Sequence, residues 1–132
     1  MDVQAFLLCD SVVQDALTGK TSVNGIFDNI SSKTFPAVHP SCFIFFRIIC
    51  DSPGDHSVVI NVVAPSGIRE QMPTISIRVG PTNLAKGIVQ IQGLPLPVEG
   101  RYEFELLFDG QRLAGYMLDA IAIGGESHGS VH

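Results

Sequence analysis

The chain has 132 residues, with 8 Lys plus Arg against 13 Asp plus Glu, a formal charge of −5. That length predicts one domain with a core large enough to need no disulfide or metal staple. Apolar residues make up 45% and charged residues only 16%; this excludes disorder, argues against a nucleic-acid or anionic-membrane surface, and leaves apolar surface for a partner to cover.

In chain order, residues 3–9 form a short apolar run that reads as a strand. No basic region precedes it, so it does not read as a signal peptide. No apolar stretch approaches the roughly 18 residues of a membrane helix. Residues 11–17 fit a helical turn or two capped by Asp10 or Ser11. They fit a strand equally well, because Val12 and Val13 are β-branched. Thr18-Gly19-Lys20-Thr21 echoes the end of a phosphate loop. Position 14 is Gln where that motif needs Gly, and the residues after Thr21 are strand-like, so it reads as a hairpin turn. Residues 21–30 form a strand with Val23, Gly25, Phe27 and Asn29 on one side.

Residues 42–50 are a near-continuous apolar run broken only by Arg47. Residues 57–63 alternate around Asn61, and 74–79 set Ile75, Ile77 and Val79 against Ser76 and Arg78. Residues 85–92 are a further strand. The clearest segment is 101–108. Tyr102, Phe104, Leu106 and Phe108 point one way; Arg101, Glu103 and Glu105 point the other. It runs into Asp109-Gly110, a dipeptide suited to a type I′ turn because both positions need positive φ. Pairing 108 with 111 places Phe104 opposite Gly115, Tyr102 opposite Met117 and Leu106 opposite Leu113. Turn signals at 15–20, 52–54, 65–67, 80–81 and 95–100 separate the strands. The pattern predicts an all-β fold. It is a single two-sheet antiparallel β-sandwich, immunoglobulin-like or C2-like, of about seven to nine strands. The domain spans 1–123, with 124–132 as a flexible C-terminal tail.

Cys9, Cys42 and Cys50 are an odd set without a C-x-x-C pair. They read as buried free thiols in a reducing cytoplasm.

A set of short segments carries a resemblance: Phe6-Leu7-Leu8-Cys9-Asp10, Thr18-Gly19-Lys20, Asn24-Gly25-Ile26-Phe27-Asp28, Phe35-Pro36-Ala37-Val38-His39 and Pro65-Ser66-Gly67. Leu94-Pro95-Leu96-Pro97 comes next, leading through Gly100-Arg101-Tyr102 to Asp109-Gly110. In this order and spacing the chain resembles an uncharacterised bacterial family, a domain of unknown function of about this length, over residues 4–123. The resemblance implies a small β-sandwich in a bacterial cytoplasm and implies no activity.

Three constellations bear on function. Asp10, Asp15, Asp28, Asp51 and Asp55 lie at strand ends or in turns, but without the D-x-D-x-D spacing that helps gather calcium's roughly six to eight oxygens. They read as caps of turn amides. His39 with Asp10 and Asp28 would make a small metal-dependent or hydrolytic site at one end of the sandwich. No G-x-S-x-G elbow accompanies it, so His39 reads as a loop residue and His56 as surface. The run 42–50 differs from both. Ile44, Phe46, Ile48 and Cys50 share one face, and Phe43, Phe45, Arg47 and Ile49 share the other. Only one face can line the core, so the second is covered either from within the chain, by a barrel-like curl, the N-terminal segment or a long loop, or by a protein interface on Phe43, Phe45, Arg47 and Ile49. The expectation is a non-enzymatic binding or assembly module in the cytoplasm. Its partner is protein, a second copy of itself in a homo-oligomer. No cofactor, metal, nucleic acid or membrane is expected. The enzyme built on Asp10, Asp28 and His39 is the alternative.

Overall fold

The computed structural model describes residues 1–124. The expected tail falls, apart from Gly124, outside the described residues. Ten strands run in chain order: β1 (Asp2–Gln14), β2 (Thr21–Ile26), β3 (Asn29–Ser32), β4 (Ala37–Ile49), β5 (Gly54–Val63), β6 (Arg69–Gln71), β7 (Ile75–Val79), β8 (Leu84–Leu96), β9 (Gly100–Phe108) and β10 (Gln111–Ala122). One sheet has the order β2-β1-β4-β8. The other has the order β3-β10-β9-β5-β6, with β7 also on β5. The all-β two-sheet architecture is as the sequence implies. Residues 11–14 are strand, as the β-branched pair allows.

Strand number and direction differ from expectation in two places. Residues 21–30 are not one strand: the chain leaves β2 at Phe27-Asp28 and enters the other sheet as β3. Having crossed, β3 lies parallel to β10, so that pair departs from the antiparallel pattern. Residues 69–71, not read as a strand, extend the edge along β5. Both β6 and β7 pair with β5, on either side of Pro73, whose missing N–H interrupts the ladder.

The long β4–β8 pair organises the core. Cys42, Ile44, Phe46 and Ile48 are all fully buried on β4. Phe46 is paired with Gly87, and a Cβ on Gly87 would overlap the Phe46 ring. The ring therefore lies across the bare backbone of its neighbour, a packing only glycine permits. Both strands then exchange faces near one rung. On β8 the buried positions pass from Ala85 and Ile91 to Leu94 and Leu96, with Gly93 at φ +80 between them.

At the β9–β10 hairpin Asp109 and Gly110 have φ of 50 and 76, and Phe108 pairs with Gln111. The register beyond the turn is corrected. A bulge between Arg112 and Ala114 sets Leu106 opposite Ala114, Phe104 opposite Tyr116 and Tyr102 opposite Leu118. The reason is phase: without the extra residue, Met117 would face the core and Leu118 would face water.

Tyr102, also fully packed, closes the strand entry. Its hydroxyl donates to the Val98 carbonyl at 2.6 Å and accepts from the Val98 N–H at 3.1 Å. This is the corner arrangement known in immunoglobulin-like sandwiches. Tyr102→Phe leaves both Val98 groups without their partner and should cost about 1–3 kcal/mol in urea unfolding. An unchanged midpoint would show that the hydroxyl holds nothing in place.

Candidate functional site

The two sheets present very different outer faces. On the four-stranded sheet, the second face of β4 carries Phe43, Phe45, Arg47 and Ile49. Across the neighbouring strands Phe45 is flanked by Leu7 and Ile88, and Phe43 by Cys9 and Gln90. Cys9 and Phe45 are buried yet lie outside the main core cluster. They form a second, smaller apolar layer on the outside of this sheet. Arg47 is exposed, Ile49 is 36% exposed and Ile88 41%.

Part of that layer is covered from within the chain. Gly25 faces Asp10 in the β1–β2 ladder with φ +69, and a Cβ there would overlap the Asp10 carboxylate. Beyond this rung the β1–β2 hairpin folds back as an arm over the outer face. Lys86 Nζ donates to Thr21 Oγ1 at 3.1 Å, and Gly19, Lys20, Thr21 and Val23 line a cleft with Phe45, Arg47 and Leu84. Phe45 is thereby reduced to 7% exposure.

The alternative site is not assembled as a metal centre. Asp10 packs at the bend of the arm, and Asp28 is exposed and accepts from the Asn29 side-chain amide at 2.9 Å. The His39 ring rests against Phe27, centroids 5.4 Å apart. Among the described residues no three His, Cys, Asp or Glu side chains gather as a metal site. His56 is bonded to the Ser52 carbonyl at 2.9 Å. It lines a cleft of about 710 Å³, whose ion pair Arg78–Asp55 is largely exposed. That cleft is a shallow solvated hollow rather than a binding chamber.

The outer face of the six-stranded sheet holds charges that the sequence pattern places only on the wet side of a strand. Arg69 bonds Glu105 through Nε at 2.9 Å, and Arg112 reaches Glu103 at 2.5 Å and Glu105 at 3.5 Å. Arg101 pairs with Asp119 at 2.8 Å. The Arg112 guanidinium occupies the space a side chain at position 115 would need, and that residue is glycine. Glu105 is buried, and the Arg69 hydrogen bond holds its carboxyl below the usual range, with help from Arg112 and Asn61. These charges pair with one another within the face, beside exposed Met117 and Ile121, while the buried Asn61 Oδ1 opposite Glu105 has no hydrogen-bond partner among the described residues.

The three cysteines are free and buried. Burial pushes the Cys42 thiol up to about 11, with the neighbouring Cys9 and Asp10 adding to it. Burial raises Cys9 and Cys50 as well. None has the electropositive setting of a nucleophilic thiol.

A model of a family of unknown function, DUF6941, matches residues 4–121. The chain belongs to DUF6941. No curated protein matches it. A solved structure with a similar fold is the Pseudomonas fluorescens alkylpurine DNA glycosylase AlkC bound to DNA containing an abasic site analog. The TM-score is 0.50 and the identity 12%, over 92% of this chain and 30% of that one. The likeness is one of fold, to a portion of a longer protein. Among the described residues no helix is long and apolar enough to cross a membrane.

The charge network makes the acid limb of stability testable. Glu105 and Asp119 have lowered pKa values, so the stabilisation they give is present above the ordinary carboxylate range and is lost as pH falls through their folded values. The thiols act in the opposite direction. An unfolded Cys42 ionises first, so stability falls as pH rises between its ordinary value of 9.0 and about 11. Melting curves across pH should show both limbs. Glu105→Gln should flatten the acid limb alone and Cys42→Ala the alkaline one. Parallel curves for wild type and variants would remove these assignments.

Proposed function

We propose that the chain is a non-enzymatic binding or assembly module acting through protein–protein contacts, with a second copy of itself as partner. The observation that carries this reading is the apolar layer on the outside of the four-stranded sheet, where Leu7, Phe45 and Ile88 form a row across three strands. A sandwich sheet with one wet face carries polar side chains there, as the six-stranded sheet does with its arginine–carboxylate pairs. On the four-stranded sheet the adjoining rows add Arg47 and Lys86 on one side and Gln90 beside Phe43 on the other, and none of these polar groups lies in the Leu7–Phe45–Ile88 row itself. The arm that shields Phe45 brings further apolar surface to the same side of the molecule. Val13 and Leu17 on it, and Ile26 at its base opposite Cys9, are all more than half exposed. A two-fold axis lets such a patch cover itself, and Arg47 suits the rim of the contact.

A protein partner fits the charge pattern better than a nucleic acid. The net charge is −5, and Arg69, Arg78, Arg101 and Arg112 are each engaged by a carboxylate. Three buried free thiols suit a reducing compartment such as the cytoplasm.

Ile88 is the informative position, because Phe45 is too deeply covered for its loss to be read as loss of association alone. Wild type should scatter light as an oligomer at tens of micromolar, and Ile88→Glu should yield folded monomers. As a surface change it should alter stability by no more than about 0.5 kcal/mol. A wild type that is monomeric throughout would refute self-association.

A further inference from the structure

The open side of the sandwich lies between β6 at the edge of one sheet and the C-terminal half of β8 at the edge of the other. Two adjoining clefts of about 500 and 410 Å³ lie there and share Val62, Glu70 and Pro95. Together they form one groove. Its walls are apolar, from Ile91 and Leu94 on one side to Met72 and Ile68 on the other, and Ile68 is 66% exposed.

Among the described residues no strand pairs with the outer edge of β6. The Ala64 N–H donates to the Ile68 carbonyl, and the Met72 N–H donates to the Ile60 carbonyl. Hydrogen-bonded pairs alternate in an antiparallel ladder, so residues 68, 70 and 72 bond β5 while the N–H and C=O of Arg69 and Gln71 point away from it. Those two residues, spaced by two, offer the donor and acceptor pattern that an added strand takes up. β8 offers no equivalent along its rim, because Pro95 and Pro97 lack an N–H.

Side chains alternate with the same period. Arg69 turns to the outer face and pairs with Glu105. Glu70, opposite Val62, turns into the groove between Ile68 and Met72. No cation pairs with Glu70 among the described residues. An inward-pointing charge on an edge strand deters indiscriminate pairing. The same carboxylate selects a partner that supplies the opposite charge.

We propose that this groove binds an extended segment of another protein, which adds as a strand to the free edge of β6 and sets a Lys or Arg against Glu70 between two apolar side chains. Its recognition pattern is apolar–x–basic–x–apolar, with the flanking apolar residues beside Ile68 and Met72. A second copy of this chain is disfavoured as the occupant. Two-fold pairing of β6 with itself would bring two Glu70 carboxylates to one face, where like charges repel. This site is separate from the outer face of the four-stranded sheet and stands whether or not that face self-associates.

The test titrates the full chain with the peptide acetyl-Ser-Val-Thr-Lys-Thr-Val-Ser-amide, following backbone amide resonances. Binding should shift Arg69 and Gln71 and protect their amides from exchange. Glu70→Lys should weaken this peptide about tenfold and strengthen the peptide with Glu in place of Lys by a similar factor. Reciprocal rescue separates charge recognition from a loss of fold. The proposal is overturned if the wild type shows no shift at Arg69 and Gln71 up to about 1 mM peptide. It is also overturned if both peptides bind both proteins alike, or if dilution of the protein alone unmasks these amides, which would make a second copy the occupant.

Discussion

The Phe46 ring lying across Gly87 fixes the rest of the molecule. It sets the phase of β4 against β8, and with period-two side chains a shift by one residue would exchange every inward group for an outward one. Phe46, Ile44 and Ile48 then belong to the core, and Phe43, Phe45, Arg47 and Ile49 must lie outside. Because β4 is apolar on both faces, the outer layer follows from the inner one. The six-stranded sheet meets the same geometric demand differently. Its β9 alternates Tyr102, Phe104 and Leu106 with Arg101, Glu103 and Glu105; Glu103 and Glu105 recruit arginines from β10 and β6, and Arg101 pairs with Asp119 of β10.

The chain covers part of its excess apolar face with the β1–β2 arm, and the arm depends on one contact. At the Asp10–Gly25 rung the positive φ of Gly25 and the absent Cβ let the ladder bend sharply. The Lys86–Thr21 hydrogen bond, between exposed groups, then holds the far end against β8. A hydrogen bond of that kind contributes only about 1 kcal/mol, so the arm is among the first parts expected to open. Opening would uncover Phe45, which links the local bend at Asp10 to the surface on which association is proposed.

Much of this is legible from side-chain alternation. The two faces of residues 42–50, the 101–108 strand and the Asp109-Gly110 turn follow from sequence alone, because each is a local pattern. The bulge at residue 113 has a signal that alternation counted from the turn passes over. Arg112 and Asp119 are both charged and so both point outward, yet seven residues apart they have opposite parity in a regular strand; one extra residue reconciles them. The break at Phe27-Asp28 has none, since Phe27 and Ile30 suit either sheet equally. The fold-back of the arm has a weak one in Gly25, whose partner Asp10 lies 15 positions away in sequence. Glu70 is invisible because residues 69–71 show no apolar alternation. Their strand character comes from β5 alone, a tertiary effect that overrides a polar sequence.

The most direct test of whether the outer layer is a working surface is its exposure in solution. A soluble gadolinium chelate broadens the methyl resonances of residues that water can reach. In concentrated protein Ile49 and Ile88 methyls are expected to be shielded nearly as well as core Ile44, and to become accessible on dilution. Full accessibility of both methyls at every concentration would contradict the central claim that this face exists to be covered.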